Sequence, residues 1–180
     1  AATNLIAGGV VKHTELELNQ RLSEKYGAKI YFKREDRQIV RSFKIRGAYN
    51  LISGLDEKQK ESGVVCASSG NHAQGVALSC FTLKVKGVIF MPVVTPKQKI
   101  DKVLIFGGDF IKIELVGTTF DEAFSEAKQY AQENRMEIVH PFDDFRTMAG
   151  QGSMAVEIIN DLAKAPDYVL ISVGGGRMIS

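Results

Sequence analysis

The sequence predicts an α/β fold with open, largely parallel sheets and helices on both faces. Two observations carry this. Short β-branched runs bounded by Gly, Pro or Asp alternate with longer stretches whose apolar residues recur at helical spacing. No internal repeat, low-complexity tract or long linker interrupts the alternation.

The predicted strands are Lys29–Lys33, Gly63–Ala67, Gly87–Met91, Phe110–Leu115, Glu137–His140 and Tyr168–Val173. Three apolar stripes mark helices between or after them. Ala73, Val76, Ala77, Cys80 and Phe81 form one, and Phe120, Ala123, Phe124, Ala127, Tyr130 and Ala131 a second. Ala155, Ile158, Ile159 and Leu162 form a third. Pro92, Pro96, Pro141 and Pro166 fall between elements, as a residue without an N–H should. The basic run Lys97–Lys102 fits the wet face of a helix.

Composition narrows the class. Of 180 residues, 44% are hydrophobic and 24% charged, with a net charge of +2. That balance suits a globular protein with a sizeable core and gives no reason to expect nucleic acid or a membrane as partner. The apolar runs fall short of the roughly 18 residues that span a bilayer. Cys66 and Cys80 lie in apolar segments without a Cys-x-x-Cys pair, which points to a reduced, cytoplasmic protein rather than a disulfide framework. The N-terminus makes a poor signal peptide. A start at alanine suggests processing or a piece of something longer.

Lys44 stands out. It precedes Ala48, Leu51, Ile52 and Leu55 on one helical face and sits in the first turn. A helix N-terminus and burial both disfavour an ammonium, so both push towards a free amine able to attack a carbonyl. The alternative is a lysine that snorkels its charge to solvent.

Two turns could receive anions. Ser68, Ser69, Gly70, Asn71 and His72 lead from a strand into a helix, where bare N–H groups face a ligand; ordinary capping by Ser69 or Asn71 is the alternative. Gly174, Gly175 and Gly176 follow the last predicted strand, and three glycines in a row suit a phosphate cradle or a plain turn. His13, His72 and His140 show no ligand spacing, so no metal site is expected, and His140–Asp144 fits a polar loop.

Together, Lys33–Asn50, Ser68–Ala77, Met91–Lys99, "PFDD", Gly150–Ser153 and the glycine segment resemble, in order, the fold type II pyridoxal-phosphate (PLP) enzymes. The resemblance is nearest to the biosynthetic threonine dehydratases. It implies a fold like that of the tryptophan synthase β chain. Residues 1–50 and 146–180 would be part of a large domain, incomplete here, and residues 51–145 a small α/β domain.

By that resemblance Lys44 forms the internal aldimine with pyridoxal 5'-phosphate and then acts as base at the substrate Cα. Phe43 packs on the cofactor ring, and Asn71 bonds its 3′-hydroxyl. Ser68, Gly70, Asn71 and His72 receive the substrate carboxylate. Gly174, Gly175, Gly176, Arg177 and Met178 wrap the phosphate. L-Threonine would give 2-oxobutanoate and ammonia, and L-serine pyruvate. The full-length protein would be a homo-oligomer.

Some positions depart from the pattern. Arg177 replaces a usual glycine, either strained there or lending its charge to the phosphate. Glu15 stands where Pro is common and Arg37 where an apolar residue is common. Ser69 matches the serine racemases, in which it is the base on the opposite face, so some racemase activity is expected. Catalytic units of this kind run well beyond 180 residues, so the chain is expected to hold the first part of one, either active or a non-catalytic fragment.

Overall fold

The computed structural model describes residues 8–173. The chain opens with an antiparallel pair, β1 (Leu16–Leu18) and β2 (Tyr31–Lys33), joined through helix α1 (Gln20–Tyr26). Asn19 caps α1 by accepting from Leu22 N, and Gly27 ends it in the left-handed conformation. A 3₁₀ turn (Glu35–Arg37) then leads to α2 (Lys44–Ser53) and α3 (Glu57–Ser62).

From there strands and helices alternate: β3 (Val64–Ala67), α4 (Asn71–Leu83), β4 (Gly87–Met91), α5 (Lys97–Gly107), β5 (Ile111–Leu115), α6 (Phe120–Asn134) and β6 (Glu137–Ile138). Helix α7 (Phe145–Leu162) follows. The four later strands form one all-parallel sheet in the order β5-β4-β3-β6.

Strand alternation divides the core. Val64 and Cys66 of β3 face a cluster with α2, α4 and α5, including Ala48, Leu51, Ile52, Val76, Cys80 and Val103. Val65 and Ala67 face the opposite way, with Val88 and Phe90, onto Ala123, Ala127 and Ala131 of α6. Helices therefore cover both faces, and β3 and β4 are buried throughout, as central parallel strands should be. Cys66 and Cys80 are free and buried, and burial pushes both thiols up, Cys80 to about 12.

Five predicted strands and all three helical stripes fall in elements, and Lys97–Lys102 does open a helix. Strands β1 and helices α1 and α3 are too short to register as apolar periodicity.

Two expectations fail. Residues 168–173 form no strand; Tyr168 is 88% and Leu170 95% exposed. A strand needs neighbours for its N–H and C=O groups, and no described residue pairs with this segment. The third stripe does lie in a helix, α7, but not on the face that α7 buries. Ala155 and Ile159 face outward, whereas α7 buries Thr147, Gln151, Ser153, Met154 and Glu157.

The cause is Arg46, which is wholly buried on α2. It donates to both oxygens of Glu35 (2.7 and 2.8 Å) and both of Glu157 (2.6 and 2.9 Å). Lys33 adds a second cation 2.7 Å from Glu157. A buried charge needs such partners, so α7 turns its polar side inward. Burial opposes ionisation of Glu157, but the bonds from Arg46 and Lys33 outweigh it and hold this carboxyl below its usual range.

Glu15 and Arg37, both departures from the family pattern, meet each other in a surface ion pair.

Candidate active site

The site is assembled where β3 and β6 end side by side. Lys44 opens α2, and its amine is half-buried there. Burial lowers its pKa below the ordinary lysine value, as a nucleophilic amine requires. Its Nζ donates to the Pro141 carbonyl at 2.9 Å and lies 5.4 Å from the Phe43 ring centroid. The charge does not snorkel outward; it turns towards the loop after β6.

Helix α4 brings the second group of residues. Gly75 lets the two helices approach, because a Cβ there would lie 3.1 Å from the Lys44 carbonyl carbon and oxygen. Asn71 is one turn nearer the start of α4, on the same face. Gly70 is the N-cap, and no side chain caps the helix, so the capping alternative for Ser69 and Asn71 does not hold. The first N–H groups of α4 are left for a ligand. Ser68 Oγ accepts from Gly70 N at 3.2 Å and braces the turn. Ser69 is half-buried and Asn71 exposed.

His72 is buried, and its Nε2–H donates to the Val139 carbonyl at 2.9 Å. Nδ1 is therefore an acceptor, and it has no partner among the described residues. Burial lowers the pKa of His72 to about 4. The Val139 bond opposes this shift, and the charges of Lys44 and His140 add to it.

Lys44 and His72 thus converge on Val139–Pro141, with the Phe43 ring beside the Lys44 amine. Gly174, Gly175, Gly176, Arg177 and Met178 lie outside the described residues. The loop His140–Asp144, expected only to be polar, belongs to the site, because its backbone carries the acceptor for Lys44. Nothing in its composition announces a carbonyl. Ser42, whose buried Oγ lacks a partner among the described residues, was equally silent in the sequence.

This donor set fits pyridoxal phosphate. It offers a half-buried amine of lowered basicity, uncapped helix N–H groups for an anion, and orphaned polar atoms at Ser42 and His72 for a polar ligand. Among the described residues, no cluster of His, Cys, Asp or Glu is placed to hold a metal, and no helix is long and apolar enough to cross a membrane.

Similar proteins agree with this reading. The chain is 53% identical over 171 residues to the biosynthetic L-threonine dehydratase IlvA of Halalkalibacterium halodurans, covering 95% of this chain and 41% of that protein. The IlvA of Bacillus subtilis is also 53% identical, with 95% and 40% covered. The chain therefore spans about 40% of the length of the curated relatives it matches. Among solved structures, the processed form of threonine deaminase isoform 2 from Solanum lycopersicum superposes with a TM-score of 0.89 at 42% identity, over 99% of this chain and 49% of that one. Maize serine racemase gives 0.91 at 31% identity, over 99% and 53%. Residues 9–180 match the model of the pyridoxal-phosphate dependent enzymes, and the chain belongs to that family.

Proposed function

We propose that this chain is the lysine-bearing part of a threonine ammonia-lyase, which converts L-threonine to 2-oxobutanoate and ammonia and L-serine to pyruvate. The observation that carries the reading is the half-buried amine of Lys44, of lowered basicity and held on the Pro141 carbonyl, on a helix packed against the uncapped helix α4. The names of the relatives, threonine dehydratase and threonine deaminase, support the substrate.

Pyridoxal phosphate, when bound, supplies the electron sink that stabilises negative charge at the substrate Cα. Lys44 would hold it and, as a free amine, take up the Cα proton. Phe43 would flank the ring and Asn71 bond its hydroxyl. Gly174, Gly175, Gly176, Arg177 and Met178 would supply phosphate donors. The open N–H groups at Asn71 and His72, on the turn formed by Ser68 and Gly70, would fix the carboxylate and so orient Cα towards Lys44. The four-stranded sheet supports assigning residues 51–145 to a small domain. The Arg46 cluster, which binds residues 33–46 to 153–161, supports placing the two flanks in a large one. A second reading, serine racemisation with Ser69 as the opposite base, is favoured by Ser69 and by the maize racemase match.

The test is to mix the chain with pyridoxal phosphate and record the visible spectrum. A band that borohydride removes and Lys44→Ala lacks is expected. Its rate of formation should rise with pH and level off below the ordinary lysine range, because the lowered pKa frees the amine earlier. No band in the wild type rejects cofactor binding by this chain. Incubation of the loaded protein with L-threonine and L-serine should yield the two keto acids; D-serine without pyruvate would favour the second reading.

A further inference from the structure

The turn that receives Lys44 is built more firmly than its polar sequence suggests. His140 Nδ1 accepts from Asp143 N at 2.7 Å and from Phe142 N at 3.3 Å, closing the turn on its own side chain. The ring stands edge-on between Phe124 (5.1 Å) and Phe142 (4.7 Å). The neighbouring carbonyls are held as well. His72 Nε2–H donates to Val139 O, and Thr147 Oγ1 donates to His140 O at 3.3 Å. Pro141 has a fixed φ and no N–H of its own. Its carbonyl is the one that meets Lys44 Nζ, at 2.9 Å.

A lysine that both carries a cofactor and moves a proton spends part of each cycle as a free amine. A long, flexible side chain released into a pocket loses its aim. A carbonyl accepts a hydrogen bond from an amine and from an ammonium alike, so it can hold the group in either state. We infer that the His140–Asp143 turn is a docking site for the free amine of Lys44, with Pro141 O as acceptor and His140 as the positioning residue that shapes it. The inference rests on Lys44 as the cofactor lysine, but it concerns the amine when that bond is absent.

It can be tested on the full chain without cofactor. Trace acetylation followed by mass spectrometry reads the reactivity of each lysine, with exposed Lys97 and buried Lys33 as internal references. His140→Ala should raise Lys44 labelling by roughly 2- to 10-fold, the equivalent of one net hydrogen bond, and leave Lys97 and Lys33 unchanged. His140→Asn, whose amide oxygen can accept the same two N–H groups, should restore the wild-type rate. Equal Lys44 labelling in wild type and His140→Ala overturns the proposal, as does a parallel rise at Lys33, which would mean general loosening. Should His140→Ala not fold, Lys44→Ala gives a second measurement. Removing the amine should speed hydrogen exchange at the Phe142 and Asp143 amides, and unchanged exchange overturns the proposal. Failure here leaves the visible band of the loaded protein intact, whereas failure of Lys44 as cofactor lysine removes that band.

Discussion

Burial keeps the His72 imidazole neutral down to about pH 4, against an ordinary value of 6.5. The folded pKa is depressed, so the unfolded chain takes up the proton first as pH falls. Stability from this residue is therefore complete above pH 6.5 and is lost as pH falls towards 4. The shift corresponds to roughly 3 kcal/mol. Urea unfolding between pH 7 and 4 should show that loss. His72→Gln keeps an N–H for Val139 but does not titrate, so its stability should be flatter over the same interval. An unchanged slope would place the acid sensitivity elsewhere. At this scale the sequence singled out Lys44 as a lysine at the head of an apolar face, and the amine does turn inward rather than snorkel. The sequence was uninformative about Pro141 O and Ser42 Oγ, since a backbone carbonyl and a common hydroxyl carry no compositional signal.

Helices α2 and α7 cross glycine against glycine. A Cβ on Gly150 would lie 2.5 Å from Arg46 O and 2.6 Å from Gly47 Cα, backbone atoms that cannot rotate away. Two residues along the same helix, a Cβ on Gly152 would meet nothing within 4 Å. Gly150→Ala should therefore cost about 1–3 kcal/mol through overpacking, while Gly152→Ala should gain about 0.4–1 kcal/mol by restricting the unfolded chain. Urea midpoints of the two variants would check the contrast; equal effects would mean that the helices separate easily. The apolar period correctly gave α4 and α6, where burial of Ala and Val decides the inward face. It gave the wrong face of α7, because there a buried guanidinium outweighs the aliphatic residues.

Across the whole molecule, Arg46 is the tie between parts distant in sequence. It joins the turn at Glu35 to α7 at Ser153 and Glu157. Burial disfavours its charge, but the bonds to Glu35 and Glu157 outweigh that and raise its pKa. Arg46→Met would leave two carboxylates buried with less countercharge. The expected loss is about 3–5 kcal/mol in urea or thermal unfolding; a loss under about 1 kcal/mol would mean that water reaches the cluster. The parallel sheet and its covering helices were legible from the alternation of short β-branched runs with longer amphipathic ones. The cluster was not, because its members are ordinary surface residue types until the fold brings them together.

The bond from Lys44 to Pro141 spans 97 residues of chain, and that from Arg46 to Glu157 spans 111. At ribosomal speeds that interval lasts roughly 5–20 s, during which the lysine has been made but its acceptor has not. The whole parallel sheet must close before the amine is seated. Seating of the Lys44 amine is thus a late event in the life of each new molecule, because its acceptor arrives only with the last strand of the sheet.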